Sequence, residues 1–183
     1  GQGDLMSQTV DLARVCAAQL KLMAFDVDGV LTDGTLWFTS AGDETKGFSS
    51  ADGHGLKMLR EGGVELAIIT GRSSRAVELR AQNIGIAHVH QGVEDKRAVL
   101  LELASQLGIA PAQCGYMGDD VVDLPVLRAC GFAATVPEAE PLVKRHVQYV
   151  ASRPAGHGAV REVCEYILAA QGKLDALLAR YLA

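Results

Sequence analysis

Short apolar runs alternate along the chain with longer segments in which apolar residues recur at helical spacing. Compact apolar runs are typical of buried strands, and a recurrence every ~3.6 residues is typical of amphipathic helices. The predicted strands cover residues 22–25, 64–69, 87–90, 113–117, 131–134 and 147–150. The predicted helices cover residues 5–20, 55–61, 74–83, 94–107, 123–129, 139–144 and 158–168. A further helical tail follows the last of these, so that the C-terminal helical region covers residues 158–183. Alternating strands and helices predict an α/β fold with a doubly wound, mainly parallel, Rossmann-like sheet.

Residues 34–48 interrupt this alternation directly after the first strand. Two β-prone runs flank the turn-rich residues 40–43, a pattern that predicts a small β-hairpin flap. The flap contains Trp37, the only tryptophan, next to Phe38. Aromatic side chains on a projecting ribbon are stabilised by burial against another surface. We therefore interpret the flap as a structural ribbon, a lid or a surface for oligomer assembly.

The composition indicates one globular domain over residues 1–183. A net charge of −5 without a cluster of Lys and Arg argues against a nucleic-acid partner. No apolar run reaches the roughly 18 residues that span a membrane, and no basic and apolar leader opens the chain. The cysteines at positions 16, 114, 130 and 164 are scattered, so we expect reduced thiols and a cytoplasmic protein.

Chemically reactive side chains follow three of the predicted strands. Residues 26–28 (Asp-Val-Asp), 70–72 (Thr-Gly-Arg) and 118–120 (Gly-Asp-Asp) each come directly after a strand, and Lys96 lies near the start of a predicted helix. Each group alone is also typical of an acidic turn, a helix cap or a solvated lysine. Because the carboxyl ends of parallel strands meet at one edge of a sheet, their joint occurrence predicts a single site.

This set of residues fits phosphoryl transfer. A carboxylate can attack phosphorus and form an aspartyl-phosphate. A metal ion and a cationic side chain can offset the charge on the phosphoryl oxygens, and a second acid can protonate the leaving oxygen and then activate water. Asp26 and Asp28 lie so close in sequence that their charges would repel, which favours a hard cation bound through oxygen ligands.

The residues at these strand ends resemble the motifs of the haloacid dehalogenase superfamily of phosphatases. Residues 25–30, residues 69–72, Lys96 and residues 118–123 match its four motifs in the right order. The resemblance implies an enzyme, a phosphoric monoester hydrolase, that uses Mg²⁺ as its cofactor.

The resemblance implies a catalytic role for four residues and a substrate-binding role for Gly71. Asp26 would be the nucleophile, and Asp28 would be the general acid and base. Thr70 and the amide of Gly71 would hold the phosphoryl group, and Lys96 would neutralise its charge.

The same resemblance implies the ligands of Mg²⁺. These are the carboxylates of Asp26 and Asp119 together with the backbone carbonyl of Asp28. Asp120 and Asp123 are expected to support the ligands from behind rather than to bind the metal.

The interval between Asp28 and Thr70 is too short for a helical cap domain, so the resemblance is to a capless member of the family. Further residues resemble a capless subfamily that hydrolyses phosphorylated sugar acids for bacterial lipopolysaccharide: 32–34, 52–55, 91–92 and 156–162. Such enzymes are homotetramers, which implies that the flaps meet and that residues 153–162 lie near a neighbouring subunit's site.

One position departs from this subfamily. Ala51 occupies a position at which the subfamily usually has an arginine, which removes one contact to the substrate. Arg72 and Arg80 remain as the expected contacts to the acidic sugar.

Two alternatives stay open. A phosphatase for another sugar acid, such as a nonulosonate 9-phosphate, would have the same motifs. A phospho-accepting signalling domain also uses Asp, Thr, Lys and Mg²⁺, although Asp28 argues against it because an acid and base at that position would hydrolyse the phosphorylated state. A separate metal site at His88 and His90 is disfavoured, since no further ligand lies close in sequence.

Overall fold

The computed structural model describes residues 11–183, so the start of the predicted helix 5–20 lies outside the described residues. The described helices are α1 Leu12–Ala18, α2 Ser50–Glu61, α3 Arg75–Ile84, α4 Lys96–Gln106, α5 Leu124–Ala129, α6 Pro141–Lys144, α7 Ala159–Ala170 and α8 Leu174–Ala179. The described strands are β1 Leu22–Phe25, β2 Trp37–Phe38, β3 Glu44–Thr45, β4 Glu65–Ile69, β5 His88–His90, β6 Cys114–Met117, β7 Phe132–Thr135 and β8 Tyr149–Val150. Short 3₁₀ helices cover Pro111–Gln113 and Val121–Asp123.

Six strands form one parallel sheet in the order β5-β4-β1-β6-β7-β8. The predicted α/β fold with a mainly parallel sheet is confirmed. All four residues of β1 are buried, and β1 pairs with β4 on one side and with β6 on the other. Because the chain leaves β1 first towards one edge of the sheet and later towards the other, the loops diverge and open a crevice at the carboxyl end of β1.

Two groups of helices cover the sheet. One group consists of α1, α2 and α7, which pack together, and the other contains α4 and α5. The core between helices and sheet is built from fully buried side chains such as Phe25, Ile68 and Phe132. None of the helices in residues 11–183 has the length and apolarity needed to cross a membrane.

The predicted hairpin flap is present and forms a separate two-stranded sheet. Trp37 pairs with Thr45, and Phe38 pairs with Glu44. The strands are shorter than the segment 34–48, because only these two pairs are formed. Trp37 and Phe38 are 62% and 65% exposed in the single chain.

The start of α2 differs from the prediction. The predicted helix begins at residue 55, but α2 begins at Ser50, and the Ser49 hydroxyl caps it. The glycine at position 55 serves helix packing, because a Cβ there would lie 3.0 Å from the Cα of Arg161 in α7. A glycine at this position therefore lets the two helices approach closely.

Asp52 connects α2 to the start of α7. Its side chain is buried, and its Oδ1 accepts a hydrogen bond from the Arg161 amide at 2.9 Å. Burial raises the pKa of this carboxyl. Asp52 thus supplies to α7 the capping group that Gly158, the residue at its N-cap, lacks.

Residues 152–158 lead from β8 into α7 and are held by their own chain. Glu162 accepts hydrogen bonds from the amide and the hydroxyl of Ser152 at 3.0 and 2.8 Å. The amide of Gly156 donates to the carbonyl of Val30 at 3.4 Å. This loop therefore packs against the turn that follows Asp28, and its approach to a neighbouring subunit stays a prediction.

Candidate active site

Most of the predicted site residues converge at the carboxyl ends of β1, β4 and β6. They line an open cleft of about 340 Å³ whose walls include Asp26, Thr70, Lys96 and Asp119. A larger depression, about 710 Å³, lies near the amino ends of β1 and β4. None of the predicted site residues lines it, so we assign the chemistry to the smaller cleft.

Asp26 follows β1 directly and is almost completely buried. Its Oδ1 accepts a hydrogen bond from the Val27 amide at 2.8 Å, and its Oδ2 lies 3.2 Å from the Lys96 ammonium. Burial, followed by the charge of Asp123, raises the pKa of Asp26, while Lys96 lowers it. The central strand thus presents one fixed carboxylate at the bottom of the cleft.

Lys96 is the first residue of α4, and its side chain turns into the cleft. Its ammonium lies 2.6 Å from Oδ1 of Asp123 as well as near Asp26. Burial opposes the charge on Lys96, but the carboxylates of Asp26 and Asp123 outweigh this effect and raise its pKa. Lys96 therefore carries a fixed positive charge beside Asp26.

Asp123 is fully buried behind the cleft. Its Oδ2 accepts hydrogen bonds from the amides of Asp119 and Asp120 at 3.0 and 3.2 Å, while its Oδ1 binds Lys96. It thereby orients the loop after β6 and the lysine at the same time. Asp123 thus lies behind the cleft, and its role in supporting the metal ligands stays a prediction.

Asp119 completes a cluster of three carboxylates with Asp26 and Asp123. One oxygen from each of the three lies within 4.8 Å of the others. Burial first, and then the charges of Asp26 and Asp123, raise the pKa of Asp119 to about 7. Crowded carboxylates of this kind match the oxygen donors that a divalent cation takes, and a cation would relieve their repulsion.

Gly29 leaves space for this cluster. Its φ is +81°, and a Cβ at this position would lie 2.2 Å from Oδ2 of Asp119. Any side chain would therefore meet both an unfavourable backbone conformation and the carboxylate.

Thr70 and Gly71 follow β4 on the other wall of the cleft. The Thr70 amide donates to the carbonyl of His90 at 3.0 Å, and its carbonyl accepts from the amide of Val93 at 3.0 Å. Thr70 is buried, and Gly71 is exposed. These contacts fix the backbone beside Asp26, where a phosphoryl group would need hydrogen-bond donors.

Asp28 lies in the cleft but outside the carboxylate cluster. Its Oδ1 lies 2.7 Å from the ammonium of Lys46, and its Oδ2 lies 3.6 Å from Nε of Arg72. Glu44 contacts the same two cations, at 3.3 Å from Lys46 and 2.6 Å from Arg72. We call these four residues the flap ion network, because two of them belong to the flap.

Sequence reasoning did not identify Lys46 or Glu44. A usable signal was present, because residues 44 and 46 have the spacing that places side chains on one face of a strand. Only the course of the hairpin shows that this face turns towards Asp28.

The remaining predicted residues are distributed around the site. Arg72 lines the cleft and is half exposed. Arg80 is not among the residues that line the cleft: its guanidinium donates to the carbonyl of Ser49 at 3.1 Å and lies over the Phe48 ring. Asp120 is exposed at the rim and accepts a hydrogen bond from the Val121 amide.

Position 51 lies on the first turn of α2. Ala51 is exposed, and its carbonyl accepts a hydrogen bond from the guanidinium of Arg161 at 3.3 Å. The methyl group of Ala51 cannot replace the arginine that the resembling subfamily usually has at this position. Arg161 of α7 lies beside position 51.

The fold and the site define a hydrolase: the model of the haloacid dehalogenase-like hydrolases matches residues 36–131, and the chain belongs to this family. Curated relatives of this chain are phosphatases for one sugar phosphate. The chain is 42% identical over 159 residues to 3-deoxy-D-manno-octulosonate 8-phosphate phosphatase of Salmonella typhi, covering 87% of this chain and 85% of the relative. The predicted enzyme is thereby confirmed as a hydrolase of this family.

Solved structures lead to the same group of proteins. The 3-deoxy-D-manno-octulosonate 8-phosphate phosphatase of Moraxella catarrhalis, in complex with magnesium, phosphate and Kdo, has 44% identity and a TM-score of 0.92. The alignment covers 94% of this chain and 99% of that one. The cobalt-bound phosphatase of Haemophilus influenzae has 38% identity and a TM-score of 0.84, with 88% and 94% covered.

Proposed function

We propose that this protein is a Mg²⁺-dependent phosphatase that hydrolyses 3-deoxy-D-manno-octulosonate 8-phosphate to Kdo and phosphate. The observation that supports this substrate is the 44% identity, over nearly the whole of both chains, to a phosphatase bound to magnesium, phosphate and Kdo. The product would serve lipopolysaccharide synthesis. The four free cysteines are compatible with our proposal of a cytoplasmic enzyme with a single domain.

The cluster of Asp26, Asp119 and Asp123 fits the implied cofactor, because it carries more negative charge than Lys96 balances. Asp26, Asp119 and the backbone carbonyl of Asp28 would hold Mg²⁺. When bound, the metal supplies positive charge to the phosphoryl oxygens.

The reaction that we propose begins at Asp26. One of its carboxylate oxygens attacks phosphorus, the bond from phosphorus to the sugar oxygen breaks, and Asp28 gives that oxygen a proton. Thr70 and the Gly71 amide hold the transferred group, and Lys96 offsets its charge.

The second step regenerates the enzyme. Water attacks the phosphorus of the aspartyl-phosphate, Asp28 accepts the proton of the water, and the bond from phosphorus to the Asp26 oxygen breaks. Phosphate leaves, and Asp26 returns to its ionised form. Asp28 thus acts first as an acid and then as a base.

We also propose a homotetramer in which the flaps meet. The exposed Trp37 and Phe38 support this assembly, since they form an apolar surface beside an open cleft. A neighbouring subunit would then cover the cleft in place of a cap domain.

The test is turnover of three phosphate esters by the purified protein with Mg²⁺. We expect the highest kcat/KM for 3-deoxy-D-manno-octulosonate 8-phosphate, a lower value for a nonulosonate 9-phosphate, and the lowest for p-nitrophenyl phosphate. A preference for the nonulosonate ester would contradict the proposed substrate. Stable phosphorylation without release of phosphate would instead support a signalling domain.

A further inference from the structure

Lys46 is a buried lysine on a flap that is otherwise largely exposed. Its side chain is 1% exposed, although Trp37 and Phe38 on the same hairpin are mostly exposed. A lysine is rarely buried to this extent unless its charge is paired. Its ammonium contacts the carboxylates of Asp28 at 2.7 Å and Glu44 at 3.3 Å.

The flap ion network holds Asp28 from both sides. Oδ1 of Asp28 faces Lys46, and Oδ2 faces Arg72 at the longer distance of 3.6 Å. Glu44 joins the two cations, so that two carboxylates and two cations alternate in a closed arrangement. The contact to Lys46 is a charge-assisted hydrogen bond and is shorter than the contact to Arg72.

The position of the Asp28 carboxylate matters because, in the proposed mechanism, it transfers protons in both steps. An acid or base must lie within hydrogen-bond distance of the proton that it transfers, and small displacements reduce the rate strongly. The side chain of Asp28 is 22% exposed, and its carboxylate is held by ion pairs to Lys46 and Arg72.

We propose that Lys46 is a positioning residue that holds the side chain of Asp28 in the cleft and thereby couples the flap to catalysis in its own subunit. The proposal rests on the proposed phosphatase function, in which Asp28 is the acid and base. A flap that served only contacts between subunits would not need this role, because Lys46 contacts Asp28 of its own chain.

The decisive variant is Lys46→Met, which keeps the length of the side chain and removes the ammonium. With 2,4-dinitrophenyl phosphate the leaving group needs no proton, so the first step does not depend on Asp28. We expect a rapid release of about one dinitrophenolate per active site, followed by steady-state turnover that is about tenfold or more slower than in the native protein. Because the first step is unchanged, kcat/KM should change less than about threefold, and KM should fall together with kcat.

Two matched variants separate positioning from structural damage. Lys46→Arg keeps the charge and should recover most of the steady-state rate. Lys57→Met removes an exposed lysine on α2 and should behave as the native protein does. Asp28→Asn provides the reference for a lost acid and base, with the same early release and slow turnover. Melting temperature and light scattering show whether each variant is folded and assembled.

Several outcomes would overturn the proposal: native steady-state turnover in Lys46→Met, loss of the rapid release together with turnover, or no recovery in a folded Lys46→Arg. A crystal structure of Lys46→Met provides a readout that needs no substrate. We expect Asp28 in another rotamer while Asp26 and Lys96 stay in place, and an unmoved Asp28 would contradict us. If the native protein hydrolyses no phosphate ester, the proposed function fails, and this structural comparison still decides the role of Lys46.

Discussion

Two groups of charged residues meet in the cleft, and their charge balance differs. The cluster of Asp26, Asp119 and Asp123 has three carboxylates and one cation, Lys96. The flap ion network has two carboxylates and two cations. The first group lies at the ends of strands β1 and β6 and at the start of α4, and it has an excess of negative charge. The second group includes flap residues, and its positive and negative charges are equal in number.

This difference explains the division of labour that we propose. A group with excess negative charge is completed by a divalent cation from solution. A balanced group needs no ion, so protein side chains alone can fix Asp28. In the proposed mechanism, the cluster binds metal and phosphate, and the flap ion network holds the residue that transfers protons.

The largest effect should follow from a change in the cluster. We expect Asp26→Asn to fold and to lose turnover by about 10³-fold or more, because an amide is a poor nucleophile towards phosphorus. The measurement is kcat on the sugar phosphate with Mg²⁺. Asp175→Asn, an exposed site on α8, is the control and should keep native activity. Near-native turnover in Asp26→Asn would remove Asp26 as the nucleophile.

A smaller effect should follow from a change in the flap far from its ion network. Replacing Trp37 and Phe38 by Ser should give smaller species in light scattering, because their exposed rings would no longer be buried between subunits. Activity on the sugar phosphate should fall by about tenfold, and activity on p-nitrophenyl phosphate should fall less, since it needs little positioning of the substrate.

The control for the flap variant is Leu12→Ser, which changes a comparably exposed apolar residue on α1. It should leave both size and activity unchanged. A native protein that is fully active as a monomer would contradict the role of the flap in assembly and in covering the cleft.

The smallest effect is expected on the melting temperature when one carboxylate of the metal-free cluster is removed. The pKa of Asp119 is raised to about 7 in the folded protein, from 3.8 in the ordinary side chain. A raised pKa contributes stability below the ordinary value, and this stability is lost as the pH rises through the folded value. In EDTA, Asp119→Asn should therefore match the native protein near pH 3.5 and melt about 2–4 °C higher near pH 8.

Added Mg²⁺ should make the native protein melt at the higher temperature, because Mg²⁺ binds the native cluster more tightly than the Asp119→Asn cluster. Melting curves at both pH values, with EDTA or with Mg²⁺, provide the measurement. Equal melting temperatures in EDTA at pH 8 would show that the carboxylates do not destabilise each other.

The sequence predicted the sheet because strands leave local signals, and the same signals mark the strand ends at which the site residues lie. Each strand ends where an apolar run meets Asp26, Thr70 or Asp119, and parallel strands bring such ends together. Lys96 was also predicted, although its contact to Asp123 depends on where α4 begins relative to β6.

Contacts between distant segments could not be read from the chain. Asp52 caps α7 through the amide of Arg161, and no local pattern connects these positions. Lys46 resembles any solvated lysine until the hairpin folds back over Asp28. The role of the glycine at position 55 in close packing against α7 is visible only when both helices are in place.

The position of β1 at the centre of the sheet has a consequence for protein synthesis. β1 leaves the ribosome early, yet its two neighbours, β4 and β6, are made much later. A nascent chain that ends before β6 has an apolar strand with an unpaired edge, a state that favours association with other chains. The acidic cluster can form only after Asp119 and Asp123 have been translated, so an incomplete chain cannot assemble the site around Asp26.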